Sequence, residues 1–198
     1  MDIIKQQAEI AEKKSALRKE LRSKRRALSE AEVKNASTEV CKKLVELDEF
    51  KRAKLILAYM AAKNELDVSY AVRAAIAEGK RVAFPLCIEN GGLRLLVPMD
   101  ENAFTVGSYG ILEPDASRSG EVLPQELELM IVPAVAYTRS LQRLGQGGGY
   151  YDRLLQKTNC FTVGVGYDFQ LVSEIPVEKH DAPLDCVLLP SNTLVCGR

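Results

Sequence analysis

One stretch of this sequence is plainly built for chemistry: Arg143-Leu144-Gly145-Gln146-Gly147-Gly148-Gly149-Tyr150-Tyr151-Asp152-Arg153. Glycine loses more conformational freedom on folding than any other residue, so four in five positions carry a penalty. The penalty makes sense where backbone N–H groups must converge on one anion without Cβ atoms in the way. The run follows an apolar, strand-like segment and opens a helix-like one, and a helix N-terminus adds positive potential. Arg143 supplies a charge-assisted contact to a phosphate. Asp152, just inside the helix, offers a carboxylate to Mg2+, which commonly takes one or two carboxylates together with substrate phosphates. Neither G-x-x-x-x-G-K-[ST] nor G-x-G-x-x-G is present, so this is not a Walker loop or a dinucleotide fingerprint. A glycine run alone also fits a flexible surface loop; the flanking Arg, Tyr-Tyr and Asp favour a phosphate cradle.

A second source of positive charge lies near the N-terminus. Lys13, Lys14, Arg18, Lys19, Arg22, Lys24, Arg25 and Arg26 crowd one segment, with Glu20 the only acid among them. Two readings stay open: a solvated helix face, or a docking surface for phosphate or another polyanion. Lys and Arg total 27 and Asp and Glu 27, which argues against a protein that coats nucleic acid. His180 is the single histidine, so chemistry that needs several histidines is excluded. The five cysteines are widely spaced without any C-x-x-C; they predict a reducing, cytoplasmic setting and apolar filling roles, with no disulfide framework or structural zinc. No apolar run is long enough to cross a bilayer, and the first residues lack the apolar core of a signal peptide.

The elements that must position these residues follow from periodicity. Residues 4–28 read as a helix, with Leu17, Leu21 and Leu28 on one side. Ser29 and Glu32 form a capping-box signature for a second helix to about Leu47. Residues 54–59 read as a buried strand, and Asp67 caps a helix over 68–78 that Gly79 stops. Residues 81–84 are a strand ended by Pro85, 90–92 a turn, and 93–97 another strand. Residues 98–126 look like extended loop. Strands follow at 127–132, 161–166 and 186–188, with a helix entered within 147–157. Strands alternating with helices predict a single α/β domain over 1–198, three-layered, with a central parallel or mixed sheet and helices on both faces.

Several short patterns in the same order resemble those of the 5-formyltetrahydrofolate cyclo-ligase (methenyltetrahydrofolate synthetase) family. They are Pro133-Ala134-Val135-Ala136-Tyr137 followed by 143–152; Lys14 and Arg18; Glu65 after the first strand; Tyr109, Gly110, Ile111, Glu113 and Pro114; Gln170, Val172, Pro176, Glu178, His180 and Asp181; and Leu184-Asp185. The resemblance covers nearly the whole chain. It implies an enzyme that uses ATP and Mg2+ to cyclise 5-formyltetrahydrofolate to 5,10-methenyltetrahydrofolate through a phosphorylated formyl intermediate, releasing ADP and phosphate. It implies that Lys14, Arg18 and the loop Arg143, Leu144, Gly145, Gln146, Gly147, Gly148, Gly149, Tyr150 and Tyr151 bind ATP. Arg143 and Tyr151 are the implied catalytic groups, and Asp152 and Asp185 the implied metal carboxylates. Met60, Glu65 and Tyr109, with Gly148, Gly149 and Tyr150, line the implied folate site. A monomer acting on small molecules, with no nucleic acid or membrane partner, is expected.

The sequence departs from the family's pattern in four places. Thr138 stands where an Asp is common, removing a loop-bracing carboxylate. Leu141 stands where Gly is common, implying a different backbone path if that glycine needs positive φ. Gln146 replaces a residue that is often basic or aromatic. Leu189 and Pro190 replace Thr-Glu near the chain end. These departures keep two alternatives in view: a divergent paralogue that binds ATP and acts on another small substrate, and a non-enzymatic RNA-binding module. Loss of Asp152 to Ala is expected to remove Mg2+-dependent turnover and leave the fold intact.

Overall fold

A computed structural model describes residues 3–88, 92–107, 110–176 and 182–195. Tyr109, His180, Asp181 and Cys196 lie outside the described residues. The chain runs α1 (Ile3–Arg26), α2 (Glu30–Glu46), α3 (Asp48–Arg52), β1 (Leu55–Leu57), α4 (Ser69–Ala77), β2 (Arg81–Ile88), β3 (Gly92–Pro98), β4 (Phe104–Val106), β5 (Leu112–Pro114), β6 (Ser119–Val122), β7 (Leu129–Pro133), β8 (Ala136–Tyr137), β9 (Arg143–Leu144), α5 (Tyr150–Leu155), β10 (Phe161–Val165), β11 (Cys186–Leu188) and β12 (Thr193–Val195). The capping box of α2 forms: Ser29 N donates to Glu32 Oε2 at 2.8 Å, and Glu32 N to Ser29 Oγ at 3.3 Å. Asp67 Oδ1 takes Ser69 N at 2.8 Å, and Gly79 follows α4 at φ 75°.

Eight strands form one sheet in the order β12-β11-β10-β7-β1-β2-β3-β6. The five central strands are parallel; β12 pairs antiparallel with β11 on one side, and on the other β3 pairs antiparallel with both β2 and β6. The predicted mixed sheet with helices on both faces is therefore present. On one face α2, α3 and α4 bury Val40, Cys41, Leu44, Phe50 and Ala71 against Ile56, Val82, Ile131 and Val163. On the other, Leu154 of α5 packs with Leu55, Leu57, Met130, Val132 and Val187. A fully buried aliphatic side chain contributes about 1.5–3 kcal/mol, so these two layers hold the fold.

Order reverses at β1: β2 pairs on one side of it and β7 on the other. In open α/β sheets, ligands bind beyond the carboxyl ends of strands at such a reversal. The segments that leave the carboxyl ends of β1 and β7 are those carrying Met60–Glu65 and the glycine loop.

Three expectations are corrected. Pro85 does not end β2; it pairs with Leu95 inside the strand. The Ala83 carbonyl faces β1, accepting from Ala58 N, so the nitrogen two residues later faces the same side, where β1 has already ended. The missing N–H therefore breaks no ladder bond. Residues 98–126 are not all loop: they hold the β4–β5 ribbon and β6, which pairs with β3. Their strands are three or four residues long, too short to show a period. Leu141 does not divert the backbone. It adopts φ 64° in the turn between β8 and β9, and its side chain is buried. Left-handed backbone costs a non-glycine residue about 1–2 kcal/mol, which burial of a leucine offsets.

Tyr137 joins the β8–β9 hairpin to the sheet. Its fully buried hydroxyl lies 3.0 Å from the Val132 carbonyl and 2.9 Å from the Val165 carbonyl, at the ends of β7 and β10. Its ring lies over Gly164, where an added Cβ would stand 2.5 Å from Tyr137 Cε1. Tyr137→Phe leaves both carbonyls without that donor, and the expected loss is about 1–2 kcal/mol in urea unfolding. An unchanged midpoint would show that the hydroxyl does not hold the hairpin.

Candidate active site

The glycine loop leaves β9 and enters α5. Gly147 (φ 108°) and Gly149 (φ 67°) occupy left-handed backbone that L side chains rarely adopt, and Gly149 is the N-cap of α5. Positive φ at these two positions turns the chain sharply between Arg143 and Asp152. Arg143 NH2 donates to Asp152 Oδ1. The Arg143 side chain is 4% exposed and the Asp152 side chain 30%, so the pair spans the wall of the site from interior to solvent. Arg143 Nε is buried without a partner among the described residues, as is the Tyr151 hydroxyl. The residues Arg143 and Tyr151 line a cavity of about 160 Å³ that Pro85, Cys87, Leu93 and Pro133 close from the sheet side. Burial pushes the Tyr151 phenol well above its ordinary range, so it remains a hydrogen-bond donor at neutral pH. Tyr150 is held under Arg153, whose guanidinium lies 5.3 Å from the ring centre and donates to the Gly148 carbonyl at 3.0 Å.

The basic N-terminal helix lies across this loop. Its Leu17 and Leu21 pack on Val135, Ala136, Leu144 and Ile175 rather than on a sheet face. The same inward stripe carries cations. Lys14 and Arg25 are buried, and Arg18 Nε donates to the Gly145 carbonyl at 2.9 Å. Arg22 donates through Nε to Gln146 Oε1 at 2.9 Å and through NH2 to the Gln146 carbonyl at 2.7 Å. Arg25 NH1 lies 3.3 Å from Glu65 Oε1, which also accepts from Gln146 Nε2 at 3.0 Å. Desolvation and the neighbouring Arg18, Arg25 and Arg26 lower the Arg22 pKa, as expected where cations are gathered for an anion. Lys13, Lys19, Lys24 and Arg26 stay exposed. The helix thus has both a solvated face and a docking face.

Arg143, Gly145, Gln146, Gly148, Gly149, Tyr150, Tyr151 and Asp152 line the cavity, and Arg18 meets the loop at Gly145 and Gly147. Glu65 is joined to the same loop through Gln146. Met60 packs against the core beside β1, outside the cavity wall. Leu144 is buried under α1, and its carbonyl accepts from Val135 N at 2.7 Å, so its side chain faces no ligand space. Asp185 is not brought to Asp152. It accepts from Thr162 N and Oγ1, both at 2.9 Å, at the start of β10. The loop lies past the other end of that strand, about 10 Å further on at strand rise. Among the described residues, no three His, Cys, Asp or Glu groups gather as a metal site. A cation arriving on substrate phosphates would find one carboxylate at the cavity, Asp152, which is paired with Arg143.

Sequence reasoning gave Arg22 and Arg25 no role beyond the basic segment and passed over Asn64. The arginines recur four and seven residues after Arg18, on the leucine face, which was the available signal. Asn64 sits at φ 60° and donates through Nδ2 to the Arg25 carbonyl at 3.3 Å and the Leu28 carbonyl at 3.0 Å, fixing the Glu65 segment to the end of α1. Cys87 is no core filler; it is exposed at the cavity rim. Thr138 keeps a bracing role without a charge: its hydroxyl accepts from Gln142 N at 3.1 Å.

Asp152→Ala strands the buried Arg143 guanidinium. A destabilisation of about 1–3 kcal/mol, discounted for the exposure of Asp152, is expected alongside any loss of turnover. Asp152→Asn keeps an acceptor for Arg143 and is expected to unfold closer to wild type. Equal denaturation midpoints for the Ala variant and wild type would refute this coupling.

The 5-formyltetrahydrofolate cyclo-ligase family model matches residues 10–190. A Schizosaccharomyces pombe protein named "Probable 5-formyltetrahydrofolate cyclo-ligase" is 33% identical over 199 residues, spanning 92% of this chain and 97% of the relative. The Escherichia coli K12 5-formyltetrahydrofolate cyclo-ligase is 31% identical over 177 residues, spanning 86% and 97%. The solved structure of Aquifex aeolicus 5,10-methenyltetrahydrofolate synthetase aligns with a TM-score of 0.82 at 34% identity, over 93% of this chain and 94% of that one. The match takes in the arginine face of α1, the Glu65 segment and the whole glycine loop, and this chain belongs to the 5-formyltetrahydrofolate cyclo-ligase family.

Proposed function

We propose that this enzyme uses ATP to cyclise 5-formyltetrahydrofolate to 5,10-methenyltetrahydrofolate, releasing ADP and phosphate. The observation that carries the reading is the convergence of two kinds of recognition on one loop. Arg143, Arg18 and the loop backbone offer positive potential for a polyphosphate, and Glu65, tied to Gln146 of that loop, offers a carboxylate for a ring rich in N–H donors.

The reaction needs positioning more than a strong base. The formyl oxygen attacks the γ-phosphorus, and the bond to the leaving ADP breaks. N10 then bonds to the activated carbon, the carbon–oxygen bond to phosphate breaks, and N10 gives up its proton. An amide-type oxygen is a poor leaving group, and its transfer to phosphorus repairs that. Arg143 neutralises charge on the transferred group at a site where burial strengthens the interaction. Tyr151, protonated and without another partner, donates to an oxygen that becomes anionic. Arg18 and the loop glycines hold the nucleotide, and Glu65 fixes the second substrate, so that oxygen and phosphorus start within reach of one another. Mg2+ would neutralise phosphate charge, with the Asp152 carboxylate as its protein ligand. We place the protein in the cytoplasm, on five widely spaced cysteines without a C-x-x-C, and read it as a monomer.

The direct test incubates purified protein with 5-formyltetrahydrofolate, with and without Mg-ATP, and follows near-ultraviolet absorbance of the product alongside ADP. Matched, ATP-dependent rises are expected. Chelation of Mg2+ should abolish them without lowering the melting temperature, because no described cluster holds a structural ion; ATP binding without product would move the reading to a different second substrate.

Tyr151→Phe separates catalysis from stability. Removing a buried hydroxyl that has no partner is expected to leave stability equal or higher. Turnover should fall about 100-fold, the scale for losing one donor to a developing anion. Retained turnover would remove Tyr151 from the mechanism.

A further inference from the structure

Gln146 makes three hydrogen bonds to two other chain segments. Its Oε1 and carbonyl accept from Arg22 at 2.9 and 2.7 Å, and its Nε2 donates to Glu65 Oε1 at 3.0 Å. Arg22 has only donors to offer and an ionised Glu65 only acceptors. The group between them must accept on one side and donate on the other, and a neutral amide does both. A lysine at this position would meet Glu65 but repel Arg22; an ionised glutamate would meet Arg22 but repel Glu65. A neutral amide at residue 146 thus suits both neighbours, and their charges orient it.

The backbone of Gln146 belongs to the loop that faces the nucleotide, while its side chain ends on Glu65. We propose that Gln146 is a positioning residue that couples the two substrate sites, so that filling the loop with nucleotide orders Glu65 and tightens binding of the second substrate. This rests on the cyclo-ligase reading, which gives Glu65 its substrate. Coupling is reciprocal, so the second substrate must tighten nucleotide binding by the same factor.

The experiment is titration calorimetry of 5-formyltetrahydrofolate into wild-type protein and Gln146→Met, each alone and saturated with a non-hydrolysable ATP analogue. Gln146 is exposed, so the variant is expected to fold, checked by its melting curve. Wild type should bind about fivefold or more tightly in the presence of the analogue, the lower end of usual coupling. Gln146→Met should reduce that ratio to about one. A ratio retained in Gln146→Met overturns the inference, and so does a wild-type ratio of one in an enzyme that turns over. Wild-type protein that neither binds 5-formyltetrahydrofolate nor turns it over instead overturns the cyclo-ligase reading, and the inference with it.

Gln146→Glu supplies a readout that a merely structural role would not move. When protonated, its carboxyl reproduces the donor and acceptor of the amide; when ionised, it opposes Glu65. Glu65 raises and Arg22 lowers the proton affinity of this exposed carboxyl, which is ionised at neutral pH. The KM for 5-formyltetrahydrofolate, relative to wild type, is expected to be raised at neutral pH and to fall as pH drops toward the ordinary carboxylate range. A pH-independent ratio would overturn the assigned role.

Discussion

The site depends on keeping one guanidinium inside the protein. A buried cation is costly unless paired, and breaking such a pair strands the charge. Arg143 meets this requirement through Asp152, nine residues later in the chain. Two glycines in left-handed backbone let the chain turn back over so short a distance. The hairpin that carries Arg143 is fixed in turn by the Tyr137 hydroxyl between two strand ends, and by Gln170, whose Nε2 donates to the Ala134 and Val135 carbonyls at 2.9 Å. These bonds fix the backbone behind the loop, and the cavity lies in front of it.

Sheet topology decides which segments meet there. Strand order reverses at β1, so the segments after β1 and β7 emerge side by side. One carries the carboxylate and the other the glycine loop. α1 then lies across them, joined by hydrogen bonds to Gly145, Gln146 and Glu65. Three pieces of chain far apart in sequence thus share one polar network, although the strands between them are ordinary apolar core.

The features legible in the sequence were those set by local physics. Short apolar runs marked the central parallel strands, because strands buried on both faces lose their alternation. The Ser29–Glu32 box and Asp67 fixed helix starts within two residues, and the glycine run showed a backbone under unusual demands. Features set by neighbours were not legible. Pro85 reads as a strand breaker until the early end of β1 is known. The β4–β5 ribbon and β6 are too short to show a period. Leu141 in left-handed backbone contradicts local preference and is sustained by the core around it. Asp152 and Asp185 looked alike as free carboxylates, yet one pairs with Arg143 and the other closes the start of β10. Arg22 and Arg25 were visible as charge, but only the docking of α1 separates them from the solvated lysines beside them.

That docking has a consequence for how the protein holds its ligands. α1 rests on the smallest of the three apolar clusters and contributes little to the two layers that hold the sheet. Local segments with few buried contacts open at lower free energy than the global core. The helix that brings Arg18 and Arg22 to the loop is held there by its hydrogen bonds as well as by this small cluster. Any polyphosphate affinity that rests on these arginines would scale with the fraction of molecules in which this helix is seated. A surface change under Leu17 or Leu21, far from any phosphate, acts on affinity through that population alone.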